Sequence, residues 1–153
     1  MSFESLEEIL QFAIDREREA ATFYEDLARR EAFSGARETF ESFAREERKH
    51  ESLLDAFLKG ERTLGDYDFQ WIPDLKRSNY TVAMTYEEGM DYADILRLAT
   101  KREEASLALY NELAGKADRS GAFELFQMLS QEEAKHKLAL ETMLDDYLAA
   151  QGD

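Results

Sequence analysis

Cysteine is absent from this chain, which rules out disulfides, thiolate metal sites and any cysteine-bound iron centre within it. Proline occurs once, at Pro73, and glycine seven times, so little interrupts helical stretches. No apolar run approaches the roughly 20 residues needed to span a bilayer. Residues Met1 to Ile14 are amphipathic and acidic and lack the basic-then-apolar order of a signal peptide. A soluble cytoplasmic protein is the expectation. Basic residues are also scarce, 19 against 34 acidic, for a formal charge of −15. Such a surface repels nucleic acid phosphates and anionic membranes, so neither is expected as a partner. It suits cations, metal ions included, although a solvated acidic exterior is the plainer account. Histidine occurs twice, as His50 and His136.

What is present is helix period. The 153 residues suit one domain and can bury a core without staples. Apolar residues recur three and four apart over roughly 5–32, 36–59, 86–117 and 121–149, which predicts an all-α chain of four helices. Ser5 with Glu8, and Thr85 with Glu88, fit capping boxes at the first and third starts. Ser34-Gly35 and Ser120-Gly121 fall where each helix pair should turn. The halves are related: residues 9–55 lie on 95–141 without a gap, and 18 of those 47 pairs are identical. Two repeated helical hairpins are thus joined by a connector, Gly60 to Met84, which holds Trp71, Pro73 and several other aromatics. A helix of about 28 residues is roughly 42 Å long, a distance an extended connector of this length can cross. Helices two and three would then run parallel, giving a four-helix bundle with one long crossover, the ferritin-like topology. The connector's aromatics are expected to pack on the bundle surface.

Six polar residues interrupt the apolar seams. Helix one reads Leu6, Ile9 or Leu10, Ala13, Glu17, Ala20, Tyr24, Leu27, and helix two reads Phe40, Phe43, Glu47, His50, Leu54, Phe57. Helix three reads Leu96, Ala99, Glu103, Ser106, Tyr110, Leu113, and helix four reads Phe126, Leu129, Glu133, His136, Leu140, Met143, Tyr147. Each helix carries its ionisable group mid-seam, so the levels should coincide when the hairpins pack. Four carboxylates in one apolar core repel one another and lose hydration worth several kcal/mol per ion. Two divalent cations would neutralise four glutamates, and two neutral imidazoles would complete the ligand shells. One Glu from each of two helices with Glu-x-x-His from each of the others is the general di-iron bundle pattern. Residues three apart share a helix face, so Glu47 with His50, and Glu133 with His136, reach inward at one level. A lone ExxH is more often an ordinary histidine; two at matched repeat positions, each preceded by a seam glutamate, make a specific signal. The metal candidates are therefore Glu17, Glu47, His50, Glu103, Glu133 and His136.

Tyr24 and Tyr110 stand two turns beyond Glu17 and Glu103 on the same seams, placed either to hydrogen-bond a carboxylate or to serve as core aromatics. Glu46, Glu51, Glu104 and Glu132 fit ordinary solvent-face pairs and receive no ligand role.

Over about residues 5–148 the chain resembles the rubrerythrin branch of the ferritin-like family. The resemblance rests on Ala13-Ile14-x-x-Glu17 with Phe23-Tyr24, on Glu46-Glu47-x-x-His50, on Lys101-Arg102-Glu103-Glu104 with Tyr110, and on Gln131 to Lys137. Trp71-Ile72-Pro73-Asp74-Leu75-Lys76 is similar to family crossovers. It implies a single di-iron domain over 1–153, commonly a homodimer, with two oxo- or hydroxo-bridged Fe ions that reduce hydrogen peroxide or dioxygen. Glu47 and Glu133 would bridge, and Glu17 and Glu103 would be terminal. Manganese or zinc are possible substitutes for iron on such donors. Two departures stand out. Family members carry a cysteine-rich rubredoxin domain as electron entry, whereas this chain stops at Asp153 without one, so a separate rubredoxin-like protein, a reductase or a small donor is expected. They also carry an extra helix-three glutamate where this chain has Ser106, with Ala20 as its repeat mate. The remaining six-ligand set also resembles bacterioferritin ferroxidase centres. Peroxide or dioxygen reduction is the leading functional reading, with ferroxidase and iron storage as the alternative. Oxygen-dependent oxidation of an organic substrate and a non-metal scaffold come after these.

Overall fold

The computed structural model describes residues 6–60, 90–116 and 121–151. Four helices carry them: α1 (Leu6–Arg29), α2 (Arg37–Leu58), α3 (Tyr92–Lys116) and α4 (Gly121–Gln151). No strand occurs among the described residues, and none of their helices is long and apolar enough to cross a membrane. The connector expected to cross the bundle, with Trp71 and Pro73, lies outside the described residues, as do Ser5, Thr85, Glu88 and Ser120.

Local chemistry sets the ends. α1 stops at Arg29, earlier than the periodicity suggested, because Arg30 turns extended and a 3-10 segment, Glu31–Ala36, follows. That turn sends Phe33 into the core, 5% exposed, against the Tyr92 ring with centroids 5.8 Å apart. Arg37 Nε donates to the Ala28 carbonyl at 3.1 Å, satisfying an acceptor that the end of α1 leaves free. α2 closes on Gly60, whose φ of +76° is open to glycine at little cost and lets its N–H reach the Phe57 carbonyl at 3.2 Å. α3 begins at Tyr92, some six residues later than the periodicity predicted. Asp91 is the reason: its carboxylate accepts the Asp94 N–H at 2.8 Å, an N-cap that starts the helix there.

Cross-helix contacts give the directions. Arg18 meets Glu51 and Arg48 meets Glu25, both at 2.9 Å, so α1 and α2 are antiparallel. Glu17 accepts from Tyr110 and Glu103 from Tyr24, so α1 and α3 are antiparallel too. Hence α2 and α3 run parallel, with the end of α2 and the start of α3 at opposite ends of the bundle.

Two apolar clusters fill the interior. One joins Ile9, Ala13 and Leu54 to Leu109, Leu113, Phe126 and Leu129. The other joins Leu27, Phe40 and Phe43 to Ile95, Leu96, Ala99 and Leu140. Phe40 and Phe126, repeat mates, are each fully buried, one per cluster, and each such ring contributes about 1.5–3 kcal/mol. Between the clusters lies a layer of buried ionisable groups.

Candidate metal centre

The layer consists of Glu17, Glu47, His50, Glu103, Glu133 and His136, each no more than 6% exposed. Every helix supplies its mid-seam residue at one level, and the i, i+3 pairs of α2 and α4 turn inward together. His50 Nδ1 stands 3.4 Å from Glu17, 3.3 Å from Glu133 and 3.8 Å from Glu47. His136 Nδ1 stands 2.9 Å from Glu47, 3.5 Å from Glu103 and 4.0 Å from Glu133. The six fall into two overlapping groups, Glu17–Glu47–His50–Glu133 and Glu47–Glu103–Glu133–His136, whose donor atoms all lie within 4.8 Å of one another in each group. Glu47 and Glu133 belong to both.

Each tyrosine serves the opposite hairpin. Tyr24 donates to Glu103 Oε1 and Tyr110 donates to Glu17 Oε1, both at 2.7 Å. The seam pattern placed each tyrosine to hydrogen-bond a carboxylate or to serve as a core aromatic; antiparallel packing of α1 on α3 gives each the glutamate of the opposite hairpin. Burial, followed by the neighbouring Glu103 or Glu17 charge, pushes both hydroxyls well above the usual tyrosine range, so they remain neutral donors. Each occupies one carboxylate oxygen and leaves the other facing the cluster.

Protons balance the charge of the protein alone. Burial and repulsion from Glu17 and Glu103 push Glu47 up to about 8. Glu133 is likewise raised well above its ordinary value by burial and by Glu103, Glu47 and Glu17. Burial would raise Glu17 as well, but the close approach of Glu47 and His50 and the His50 charge outweigh it and bring Glu17 to about 2. Glu103 is lowered by the corresponding partners, Glu133, His136 and Tyr24, against the same burial. Burial disfavours the charged imidazoles, yet the carboxylates prevail, lifting His50 to about 10 and His136 to about 11. Glu17 and Glu103 are thus pushed toward the carboxylate, both imidazoles toward the protonated ring, and burial with mutual repulsion pushes the two shared glutamates toward the neutral acid.

The donors leave a distinctive residue of unmet bonding. Each of the six retains one buried atom without a hydrogen-bond partner: Glu17 Oε2, Glu47 Oε1, His50 Nδ1, Glu103 Oε2, Glu133 Oε1 and His136 Nδ1. An unsatisfied buried polar atom ordinarily costs about 1–3 kcal/mol. Six of them converging on one layer, all on oxygen or imidazole nitrogen, fit divalent cations of the iron and manganese type.

Some neighbours were not singled out by sequence pattern. Glu46, read as a solvent-face residue, reaches the Nε2 side of His136. Arg102 is 2% exposed and donates to the Arg16 carbonyl, one residue from Glu17. Its repeat mate Arg16 stacks on Phe12, 4.9 Å from the ring centroid, and pairs with Glu19 at 2.5 Å. The identity of Arg16 and Arg102 was visible in the repeat, but nothing in it marked one as buried. Ala20 is buried and Ser106 half-buried, and neither adds a carboxylate. A surface groove of about 770 Å³ runs between α2 and α4, bordered by His50, Leu53, Met128 and Glu132.

Comparison with known proteins agrees with this architecture. A family model described as "Ferritin-like domain" matches residues 6–146. The solved structure of a hypothetical protein from Pyrococcus furiosus is similar at a TM-score of 0.73 and 24% identity, covering 97% of this chain and 92% of that one. At that identity the likeness speaks for the fold alone. No curated protein sequence matches the chain.

Proposed function

The chain belongs to the ferritin-like domain family, and on that premise we propose that it is a di-metal carboxylate oxidoreductase of rubrerythrin type that reduces hydrogen peroxide or dioxygen. The carrying observation is the pair of overlapping ligand groups sharing Glu47 and Glu133. Glu17 with His50 would complete one metal position and Glu103 with His136 the other, with the shared carboxylates bridging. Two ferrous ions held there would supply the two electrons that peroxide needs to become two waters with two protons. The chain's own residues set the conditions. The apolar clusters close the layer toward both ends of the bundle, and Tyr24 and Tyr110 hold the outer oxygens of Glu103 and Glu17 in place. Four carboxylates, from Glu17, Glu47, Glu103 and Glu133, would match the four charges of two divalent ions. Electrons would arrive from a separate donor, and the resemblance favours a homodimer.

Stopped-flow mixing of the anaerobic di-ferrous protein with peroxide tests the reading. Oxidation much faster than that of free Fe(II) is expected; an equal rate would sink it. Ser106 supports a second reading, since without an added glutamate the six-donor set also resembles a ferroxidase centre. Iron loading followed by size-exclusion chromatography separates the two: a dimer retaining about two irons per chain argues for the oxidoreductase, and a large mineral-filled shell for storage.

A further inference from the structure

The two metal-type positions are built from matched residues, yet their outer sides differ. His136 is held on three sides. Its Nδ1 faces Glu47, Glu103 and Glu133. Its Nε2 meets the Glu46 carboxylate. The Phe43 ring lies against the imidazole with centroids 4.3 Å apart. The repeat gives His50 the corresponding neighbours Glu132 and Leu129. Neither holds it in that way. Among the described residues Glu132 pairs with Lys135 at 3.7 Å, the ion pairs of His50 run through Nδ1 alone, and no ring packs on His50. The outer edge of His50 instead borders the groove with Met128 and Glu132.

An imidazole ligand leaves a metal by rotating about its side-chain bonds. A carboxylate on its remote nitrogen opposes that rotation, fixes the tautomer that presents Nδ1 inward and raises the basicity of the donor. Departure also requires water to hydrate the leaving cation: the groove borders His50 directly, whereas on the His136 side it reaches only Glu46, with His136 itself 2% exposed behind it. We infer that Glu46 is a positioning residue for His136, and that it makes the Glu103–His136 position the tighter and slower-exchanging of two metal positions, with Glu17–His50 as the exchangeable one. The inference rests on the di-metal reading above.

The test uses the full chain loaded with Co(II) and chased with excess chelator, following the cobalt absorption bands. Wild type should release its metal in two phases of equal amplitude. Glu46→Ala should speed the slow phase by about 10- to 100-fold and leave the fast phase unchanged. Glu46→Gln, which keeps an acceptor for the imidazole N–H, should restore part of the slow phase. Glu46 is 39% exposed, so both variants are expected to fold. Release in a single phase from wild type that binds two cobalt ions, or a slow phase indifferent to Glu46→Ala, overturns this inference alone. A chain that binds no cobalt overturns the di-metal reading and this inference together.

Discussion

The first hairpin, α1 with α2, and the second, α3 with α4, carry the same six-residue chemistry and differ most just outside it. Glu17, Glu47, His50 and Tyr24 recur as Glu103, Glu133, His136 and Tyr110. Around them, Arg16 lies over Phe12 while Arg102 is buried, and Glu46 touches His136 while Glu132 turns to Lys135. The physical distinction is where each side chain finds its partner. Tyr24 bonds Glu103 and Tyr110 bonds Glu17, so each half completes the other about a pseudo-two-fold axis. A change in one half there disturbs both. Outside the layer only one member of each repeat pair reaches across, Glu46 to His136 and Arg102 to the Arg16 carbonyl, while Glu132 and Arg16 pair within their own half, and there the halves have diverged.

The sharpest way to break that symmetry is to remove shared and unshared carboxylates in turn. Glu47→Ala and Glu133→Ala each delete a donor common to both groups and should leave metal content near zero. Glu17→Ala and Glu103→Ala should each retain about half, since each residue belongs to one donor group only. Metal analysis after dialysis reads the result; a Glu47→Ala protein that keeps one tightly bound ion would show the positions to be independent.

Next in size is the response to pH, which both halves should share. Glu47, held up at about 8, favours the fold in full below its ordinary 4.5, and that support is lost as pH rises through about 8. His50 and His136 give support that is complete below 6.5 and is lost through about 10 and 11. Glu17 acts oppositely, supporting the fold above 4.5 and losing that support as pH falls through about 2. The metal-free protein should therefore melt lower, by about 5 °C or more, at pH 9 than at pH 5. Metal-loaded protein should show a much flatter alkaline profile, because cations replace the protons on the two shared glutamates and two imidazoles. Loading two divalent ions at neutral pH should accordingly release about four protons, measurable with an indicator dye. A release of only about two would mean that the shared carboxylates are already ionised.

The tyrosines sharpen the comparison from within the layer. Tyr24→Phe and Tyr110→Phe each strip a buried carboxylate of one donor, and each should cost about 1.5–3 kcal/mol in urea unfolding of the metal-free protein. Near-equal losses are expected, since both bonds are 2.7 Å long and equally buried; a twofold inequality would mark an asymmetry deeper than the outer shell.

The arginines should give the smallest effect and the clearest divergence. The layer is neutral with protons or with two cations, so the buried Arg102 charge is not needed to balance it. Arg102→Met should raise metal-free stability by about 1 kcal/mol, whereas Arg16→Met should stay within about 0.5 kcal/mol. A marked loss of stability in Arg102→Met would show that its bond to the Arg16 carbonyl outweighs the cost of burying the guanidinium.

Much of the architecture was legible because helix period and duplication are one-dimensional signals. The apolar seams located four helices, and the gapless repeat paired Glu47 with Glu133 and His50 with His136 before any fold was known. The end of α1 was less legible, since the Arg30 turn depends on Phe33 reaching a pocket that Tyr92 helps to build from another helix. The start of α3 was readable in principle from Asp91, a capping residue three before Asp94, but the helical pattern upstream of it obscured the signal.

By itself the sequence determined an all-helical duplicated chain and the six residues that interrupt its apolar seams, because those features depend only on spacing along one helix. Tertiary structure alone decided which tyrosine serves which carboxylate, and that Glu46 reaches His136 and Arg102 the Arg16 carbonyl while Glu132 and Arg16 pair locally. Those outcomes depend on the antiparallel docking of α1 on α3 and on side-chain contacts between helices distant in the chain, which no spacing along a single helix records.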